Sequence, residues 1–512
     1  MRKRSLSIGM IGFLMIVGFI GASAAMAADN DTVTIALTGE PPTMDPHRVS
    51  NFIGAMVWRW SYDTLITSET GTGKHKPWLA TKWESNDNNK SVKFWLRKDA
   101  TFSDGTPVTS APIELGISRV LKSSRQANYF KSFDRIEILD DHTFIWHNKH
   151  PDNGLFNRIS RLSHAISLKA KDQDEATTSR TTFGSGPYIL KEWTKGNKMV
   201  FEANPTWWGN ADYPNRPKRV VLRRLPEATT RVKALLTGEI DVAWGVLPQY
   251  IQQVEKNPKT SVSIMPAVRI LFMGFFSRHG GPLADVRVRK AMNYAIDADL
   301  IRRTILGGRA DLIGQLLHPW NFSGYNPNKE WYGYDPEKAK ALLQEAGHEQ
   351  GFKMELIAPN GRYPGDKATC EAVAGMLKKV KIDTTCNSQR WPLFKKLHTA
   401  YKTGKKEGVA AYYMGFGNGG GESSLVLSAG AACKGPWSGM CRPEFDAALD
   451  KAAAESDPEK QQAAFEAVTD LMKELVTHKI FFKIHDVIGY SNRLEFFARH
   501  DETLFPWEIV VK

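Results

Sequence analysis

The sequence predicts an α/β protein of more than one lobe, with mixed sheets flanked by helices. Three observations predict it. The chain has 512 residues, too many for one ordinary core and enough for two or three lobes. From about residue 218, strand-like and helix-like segments alternate, the pattern of a sheet with helices on both faces. Two long strand-like runs, VRILFMGFF at 268–276 and KIFFKIHDVIGYS at 479–491, sit where one compositional regime gives way to the next. They are expected to cross between lobes and act as a hinge.

The elements follow in chain order. MRKR, then the apolar LSIGMIGFLMIVGFIG, then the small residues of ASAAMAA form a secretory signal segment over 1–27, with cleavage expected after Ala27. No cysteine lies near that cut, so a lipid-anchored form is not expected. TVTIALT at 32–38 reads as a buried strand, and MVWRWSYDTLI at 56–66 as a helix. KSVKFWLRKDATFSDG alternates as a strand and ends in an Asp104-Gly105 turn. SAPIELGISRVL opens a helix capped by Ser110 with a proline just inside. Hairpins are expected around Asp140-Asp141 and around Gly196-Asn197. RVVLRRL and IDVAWG read as strands on either side of the helix ATTRVKALLTGE. Val288, Ala291, Met292 and Ala295 form an apolar stripe at helical spacing. So do Val373, Met376, Leu377 and Val380, and also Phe465, Val468, Met472 and Leu475, all three read as core faces. Asp335 caps the helix that Gly347 ends.

Hydrophobic residues make up 42% and charged residues 24%, as in ordinary globular proteins. The formal charge is +13. Arg2, Lys3 and Arg4 belong to the signal segment, so the mature chain carries +10. The cations are scattered and no nucleic-acid-binding motif appears. The excess therefore reads as a surface property that suits anionic solutes. The four cysteines suit an oxidising compartment. Three pairings are possible, and sequence order favours Cys370–Cys386 and Cys433–Cys441. No C-x-x-C spacing points to zinc.

Few segments carry chemistry. NGRYPGDK at 360–367 sets Arg362 beside Tyr363 on an expected strand-to-helix loop. GFGNGGG at 415–421 matches G-x-G-x-x-G in form, but ESSLVLSAG after it does not read as the helix a dinucleotide site needs. A flexible glycine loop that brings a ligand to the backbone is the better reading. His147 and His150 in HNKH read as solvated histidines rather than metal ligands. Trp437 lies inside CKGPWSGMC, where it either plugs the disulfide loop or lines a pocket. No nucleophile–base set, metal motif or cofactor motif is present, so no enzyme activity and no cofactor are expected.

Taken together, PPTMDPH, KPWLATKWESNDNNKSVKFWLRKDATFSDGTPVT, GSGPYILKEW with NPTWWG, ALLTGEIDVA, PLADVRVRKAMNYAID and PEFDAALDKA resemble the family 5 extracellular solute-binding proteins of ABC importers. That group includes dipeptide, oligopeptide, nickel and opine binders. The resemblance implies a two-lobe, clam-shell, periplasmic-binding-protein fold. Lobe I would span 28–276 with an inserted subdomain at about 60–180, lobe II 277–484, and 485–512 would return to lobe I. It implies a monomer that encloses a small ligand and docks on an inner-membrane permease. In the peptide-binding branch, the loop like NGRYPGDK carries an arginine for the ligand carboxylate. This implies the role for Arg362, whose guanidinium can bind through two parallel hydrogen bonds, with Tyr363 beside it. The branch also holds the peptide amine with an aspartate in a G-W-x-x-D stretch. Here Phe416 replaces the tryptophan, Gly417 follows, and only Asn418 or Glu422 could stand for the missing acid. That departure favours an opine-like sugar–amino acid conjugate over a short peptide. Trp437 completes the expected ligand set. The competing readings are a short-peptide receptor of the same family, a secreted hydrolase, and a surface interaction protein.

Overall fold

A computed structural model describes residues 31–49, 51–69, 72–123, 126–318, 322–417 and 422–512. The expected signal segment 1–27 and Asn418 lie outside the described residues. The main sheet has eleven strands of mixed direction. Ten of them run in the order Ile382–Gln389, Phe352–Pro359, Ala410–Gly417, Thr260–Phe275, His478–Ser491, Val242–Trp244, Thr32–Leu37, Arg219–Arg224, Lys198–Ala203, Tyr188–Thr194. The eleventh, Ala310–Leu312, pairs with His478–Ser491. A separate four-stranded antiparallel sheet is formed by Ala80–Asn86, Ser91–Leu96, Thr143–Asn148 and Phe133–Asp140.

Two large apolar cores lie along the main sheet. One gathers Val33, Trp60, Phe94, Trp146 and Phe201 with the C-terminal Phe505 and Trp507. The other gathers Phe272, Met292, Leu356, Val373, Tyr412, Phe465 and Phe482. A smaller cluster around Leu235 and Val254 adjoins the first. The two long strands join the two halves. They pair antiparallel from Thr260↔Ser491 to Gly274↔His478, with register shifts between Pro266 and Ile270 and between Leu271 and Phe272. Such irregularities bend and twist a ribbon, and here they fall where the pair passes from one core to the other. The first strand begins at Thr260, eight residues before the apolar run that marks it in sequence. Its first part mixes polar and apolar residues and contains Pro266, which sits beside a register shift, where proline is tolerated in a strand.

Most local expectations hold. The stripes Val288, Ala291, Met292, Ala295 and Val373, Met376, Leu377, Val380 are buried. Phe465, Val468 and Met472 are buried too, while Leu475 is only partly covered. Asp335 caps its helix by accepting the Lys338 N–H at 2.9 Å. Both disulfides form as sequence order favoured, Cys370–Cys386 and Cys433–Cys441.

Three local expectations fail for physical reasons. The helix expected over 56–66 spans Phe52–Trp58 and stops. Beyond it the backbone pairs with a distant segment: Gly186 N–H donates to Ser61 O at 3.0 Å and Tyr188 N–H to Trp60 O at 2.8 Å. Gly184 and Gly186 allow that approach, because a Cβ at Gly184 would lie 1.9 Å from Ser61 O. Trp60, Tyr62 and Leu65 are thereby buried on both sides. The helix at 110–121 has Thr109 as its N-cap, and Ser110 Oγ instead donates to Asp140 O at 2.9 Å. ESSLVLSAG, read as irregular, contains the helix Ser423–Ala431. No helix among the described residues is long and apolar enough to cross a membrane.

Candidate functional site

Three parallel strands of the second core deliver their C-terminal ends to one edge. Phe352–Pro359 pairs with Ile382–Gln389 up to Pro359↔Gln389, and with Ala410–Gly417 at Ile357↔Tyr412. The residues that follow, 360–365 and 390–391, and Gly417 at the end of the third strand therefore lie along the carboxyl edge of one parallel set. That edge is where open α/β sheets bind ligands.

Asp366 builds the first loop. Its carboxylate accepts the backbone N–H groups of Gly361 (3.1 Å), Arg362 (2.8 Å), Tyr363 (3.1 Å) and Lys367 (2.9 Å). Burial pushes the Asp366 pKa up and these four donors oppose it. The Arg362 guanidinium itself does not engage Asp366. Its Cζ lies 3.8 Å from the Trp391 ring centroid, and its Nε donates to Tyr363 Oη at 3.2 Å. Among the described residues its Nη1 and Nη2 make no hydrogen bond and no ion pair. The pair of nitrogens that suits a carboxylate is thus held on an aromatic plane and left open. Tyr363 is buried and donates to Gly415 O at 3.1 Å.

Trp437 takes the packing role expected of it under the disulfide loop. It packs on the second core and its ring lies 5.5 Å from that of Trp391 and 5.0 Å from that of His398. Phe394 stacks on Trp391 at 5.2 Å. An aromatic tier closed by the Cys433–Cys441 bridge therefore backs Arg362. Phe416 is half-buried and turns toward the core, 4.9 Å from the Phe272 ring and against Gly430.

Gly417 is exposed and meets an ion pair. A Cβ there would lie 2.8 Å from both Arg269 Nη2 and Glu502 Oε2, so a side chain at this position would have to displace that pair. Arg269, on the first long strand, binds Glu502 of the C-terminal segment through Nε–H to Oε1 at 3.0 Å and Nη2–H to Oε2 at 2.5 Å. Burial works against the Arg269 charge, and Glu502 outweighs it, so its pKa is raised. The Arg269 guanidinium also faces the rings of Phe52 (5.5 Å) and Tyr363 (5.6 Å). Elements of both cores thus converge on it.

Glu422 is not open for a ligand amine. Its Oε2 accepts from Arg158 Nη1 at 2.5 Å, across from the helix Leu155–Leu162 of the first core, and Ser424 Oγ donates to its Oε1 at 2.8 Å. Burial opposes the Arg158 charge, yet Glu422 and Asp152 raise its pKa. Asn153 adds a second bridge between the halves, donating to Ser456 O at 3.2 Å. Glu422 also sits at the N-cap of Ser423–Ala431. A carboxylate at that helix start disfavours a phosphate there.

His147 Nε2 meets Glu137 at 2.8 Å on an exposed hairpin, and His150 Nδ1 lies 3.0 Å from the carbonyl of Pro151. No group of three metal-ligating side chains occurs among the described residues. Arg158, Arg269, Trp391, Asp486 and Glu502 had no place in the sequence reading. A charged residue inside an apolar strand run, as in VRILFMGFF and KIFFKIHDVIGYS, was the available signal for Arg269 and Asp486.

Residues 74–435 match the model of the bacterial extracellular solute-binding proteins, family 5, middle part. The dipeptide-binding protein of Escherichia coli K12 is 25% identical over 462 residues, covering 82% of this chain and 84% of that protein. The structure is similar to that of the periplasmic binding protein DppA of Helicobacter pylori in complex with the peptide STSA, with a TM-score of 0.78 at 21% identity, covering 94% of this chain and 98% of that one. It is also similar to AgaA of A. tumefacien R10 in complex with agropinic acid, with a TM-score of 0.76 at 23% identity, covering 94% and 99%. These neighbours share the two-lobe periplasmic-binding-protein fold. This chain belongs to the family 5 bacterial extracellular solute-binding proteins.

Proposed function

We propose that the protein is a periplasmic receptor of an ABC import system. It captures a small carboxylate-bearing solute between its lobes and hands it to an inner-membrane permease. The favoured solute is an opine-like sugar–amino acid conjugate. One observation carries the reading: the Arg362 guanidinium is fixed on Trp391 at the carboxyl edge of the parallel strands with its nitrogen pair open. Lobe I would comprise 28–276, with its inserted subdomain at about 60–180, and 485–512. Lobe II would comprise 277–484. The segment 1–27 would direct export and be removed, and the mature protein would act as a monomer without turnover.

A short peptide is the second reading. The relatives named for peptides support it, whereas the engagement of Glu422 by Arg158 weighs against a peptide amine held as in that branch. Mass spectrometry of the protein purified from periplasm should find a retained carboxylate-bearing molecule. Calorimetry with that molecule should show a loss of about 2–5 kcal/mol for Arg362→Ala. Unchanged affinity in that variant would remove Arg362 from the site. Release of a chemically altered ligand would support the secreted-hydrolase reading instead.

A further inference from the structure

A small pocket lies where the helix Phe52–Trp58, the strand Ile66–Ser68, the helix Leu155–Leu162 and the C-terminal segment meet. Arg59, which follows the first helix, lines it with Thr67 and Phe505, all three buried. Ser68 and Arg161 are half-buried at its rim. Two guanidiniums thus line one pocket, and neither has an ion pair among the described residues. Arg59 Nη1 donates to Ser160 O at 2.8 Å and Nη2 to Thr67 Oγ1 at 3.0 Å. Arg161 Nη2 donates to the backbone carbonyl of Asp501 at 3.2 Å, and its Nε and Nη1 make no hydrogen bond among the described residues. The acids nearby are engaged by other groups. The Asp501 carboxylate accepts from Arg499 Nε at 3.1 Å and Nη2 at 2.9 Å. Asp63 accepts from Trp78 Nε1 at 2.6 Å, Ser185 Oγ at 2.9 Å and Trp208 Nε1 at 3.1 Å. Burial holds the Arg59 pKa down to about 10; the Arg499 and Arg161 charges add to this, and Asp63 and Asp501 oppose it. A buried guanidinium costs free energy unless a counter-charge completes it.

We propose that this pocket is an anion site that takes one carboxylate- or phosphate-sized group against Arg59 and Arg161. Guanidiniums suit such oxyanions because their N–H groups form forks of parallel donors. Arg59 is held in place, with its Cζ 5.1 Å from the centroid of the Phe505 ring and its two terminal nitrogens each tied to one acceptor. Thr67 Oγ1 accepts from Arg59, which leaves its own proton to donate. The group belongs either to a free inorganic anion or to the captured solute. The site goes beyond the receptor reading above and involves neither Arg362 nor its loop.

The test uses the mature protein, with sodium phosphate and sodium acetate as probes against sodium chloride at matched ionic strength. At least one probe should raise the Tm saturably beyond chloride. Arg161→Gln should move the half-saturating concentration up by roughly ten-fold or more. Arg161→Lys keeps the charge and should recover part of the response, and Arg362→Ala should respond as the wild-type protein does. No response beyond chloride would overturn the proposal. An equal response in Arg161→Gln would mark general salt stabilisation and overturn it too, as would a response lost in Arg362→Ala. Competition with the solute retained from the periplasm reads the source of the anion. Displacement of the probe puts an anionic group of the solute in the pocket, and joint binding marks a free anion; both outcomes support the site. If no solute is retained and the probe response persists, the receptor reading fails and the anion site stands.

Discussion

Arg362 has a role only because of the groups that hold it. A guanidinium on a flexible side chain would lose rotamer freedom on meeting a ligand, and stacking on Trp391 removes that freedom beforehand. The Tyr363 hydroxyl fixes the guanidinium's rotation by accepting from Nε while donating to Gly415 O. Trp391→Leu should therefore weaken binding of the carboxylate-bearing ligand by roughly ten-fold, about the worth of a partly desolvated cation–π contact. Trp391→Phe should recover most of it. Calorimetry on the three proteins checks this, and equal affinities would mean that the plane does not preorganise Arg362. The pair Arg362–Tyr363 was legible in sequence, since glycine and proline mark the loop. Trp391 was not, because nothing local relates the start of one helix to a loop thirty residues earlier.

At the level of elements, the site is the edge of a parallel strand set, and its rigidity comes from what ties helix to strand behind it. The Cys370–Cys386 bond joins the helix Asp366–Lys378, whose first residue organises the Arg362 loop, to the strand Ile382–Gln389 that leads to Trp391. Cys433–Cys441 closes the loop that bears Trp437. Replacing Cys370 and Cys386 together by alanine should cost about 3 kcal/mol in unfolding free energy, as expected for a loop of this length. Denaturant titration under oxidising conditions checks this, and a loss near zero would mean that packing alone holds the loop. Both pairings were legible from cysteine order. The helix Ser423–Ala431 was missed because its glycine- and serine-rich approach reads as loop, whereas its buried face supplies the stabilisation.

The whole molecule keeps several histidines neutral inside both lobes. Burial lowers the pKa of His47 to about 4, and of His318, His398 and His478 to about 3. The unfolded chain protonates these rings near pH 6.5, so below that pH it binds more protons than the folded state. Stability therefore falls as pH drops from about 6.5 toward 4, by about 1.4 kcal/mol per pH unit for each such histidine. Thermal melts from pH 7.5 to pH 4.5 should show Tm dropping steeply below pH 6. A flat profile would mean that these rings gain partners when protonated. Arg158–Glu422 and Asn153–Ser456 tie residues of distant parts of the chain together on the same scale.

The sequence by itself determined the alternating elements, the Asp335 helix cap, both disulfides, the two crossing strands and the loop that carries Arg362. Each of these depends on spacing within a short window, where periodicity, capping and turn chemistry act. Only the tertiary structure decided which groups meet. Arg269 and Glu502 lie 233 positions apart, and Arg158 and Glu422 lie 264 apart. Glu422, offered by the sequence as a substitute acid, is matched by one of these distant partners, and Asp486 Oδ2 is buried without a hydrogen-bond partner among the described residues. Whether a buried charge is matched depends on which strands and loops share an edge, and no local pattern encodes that.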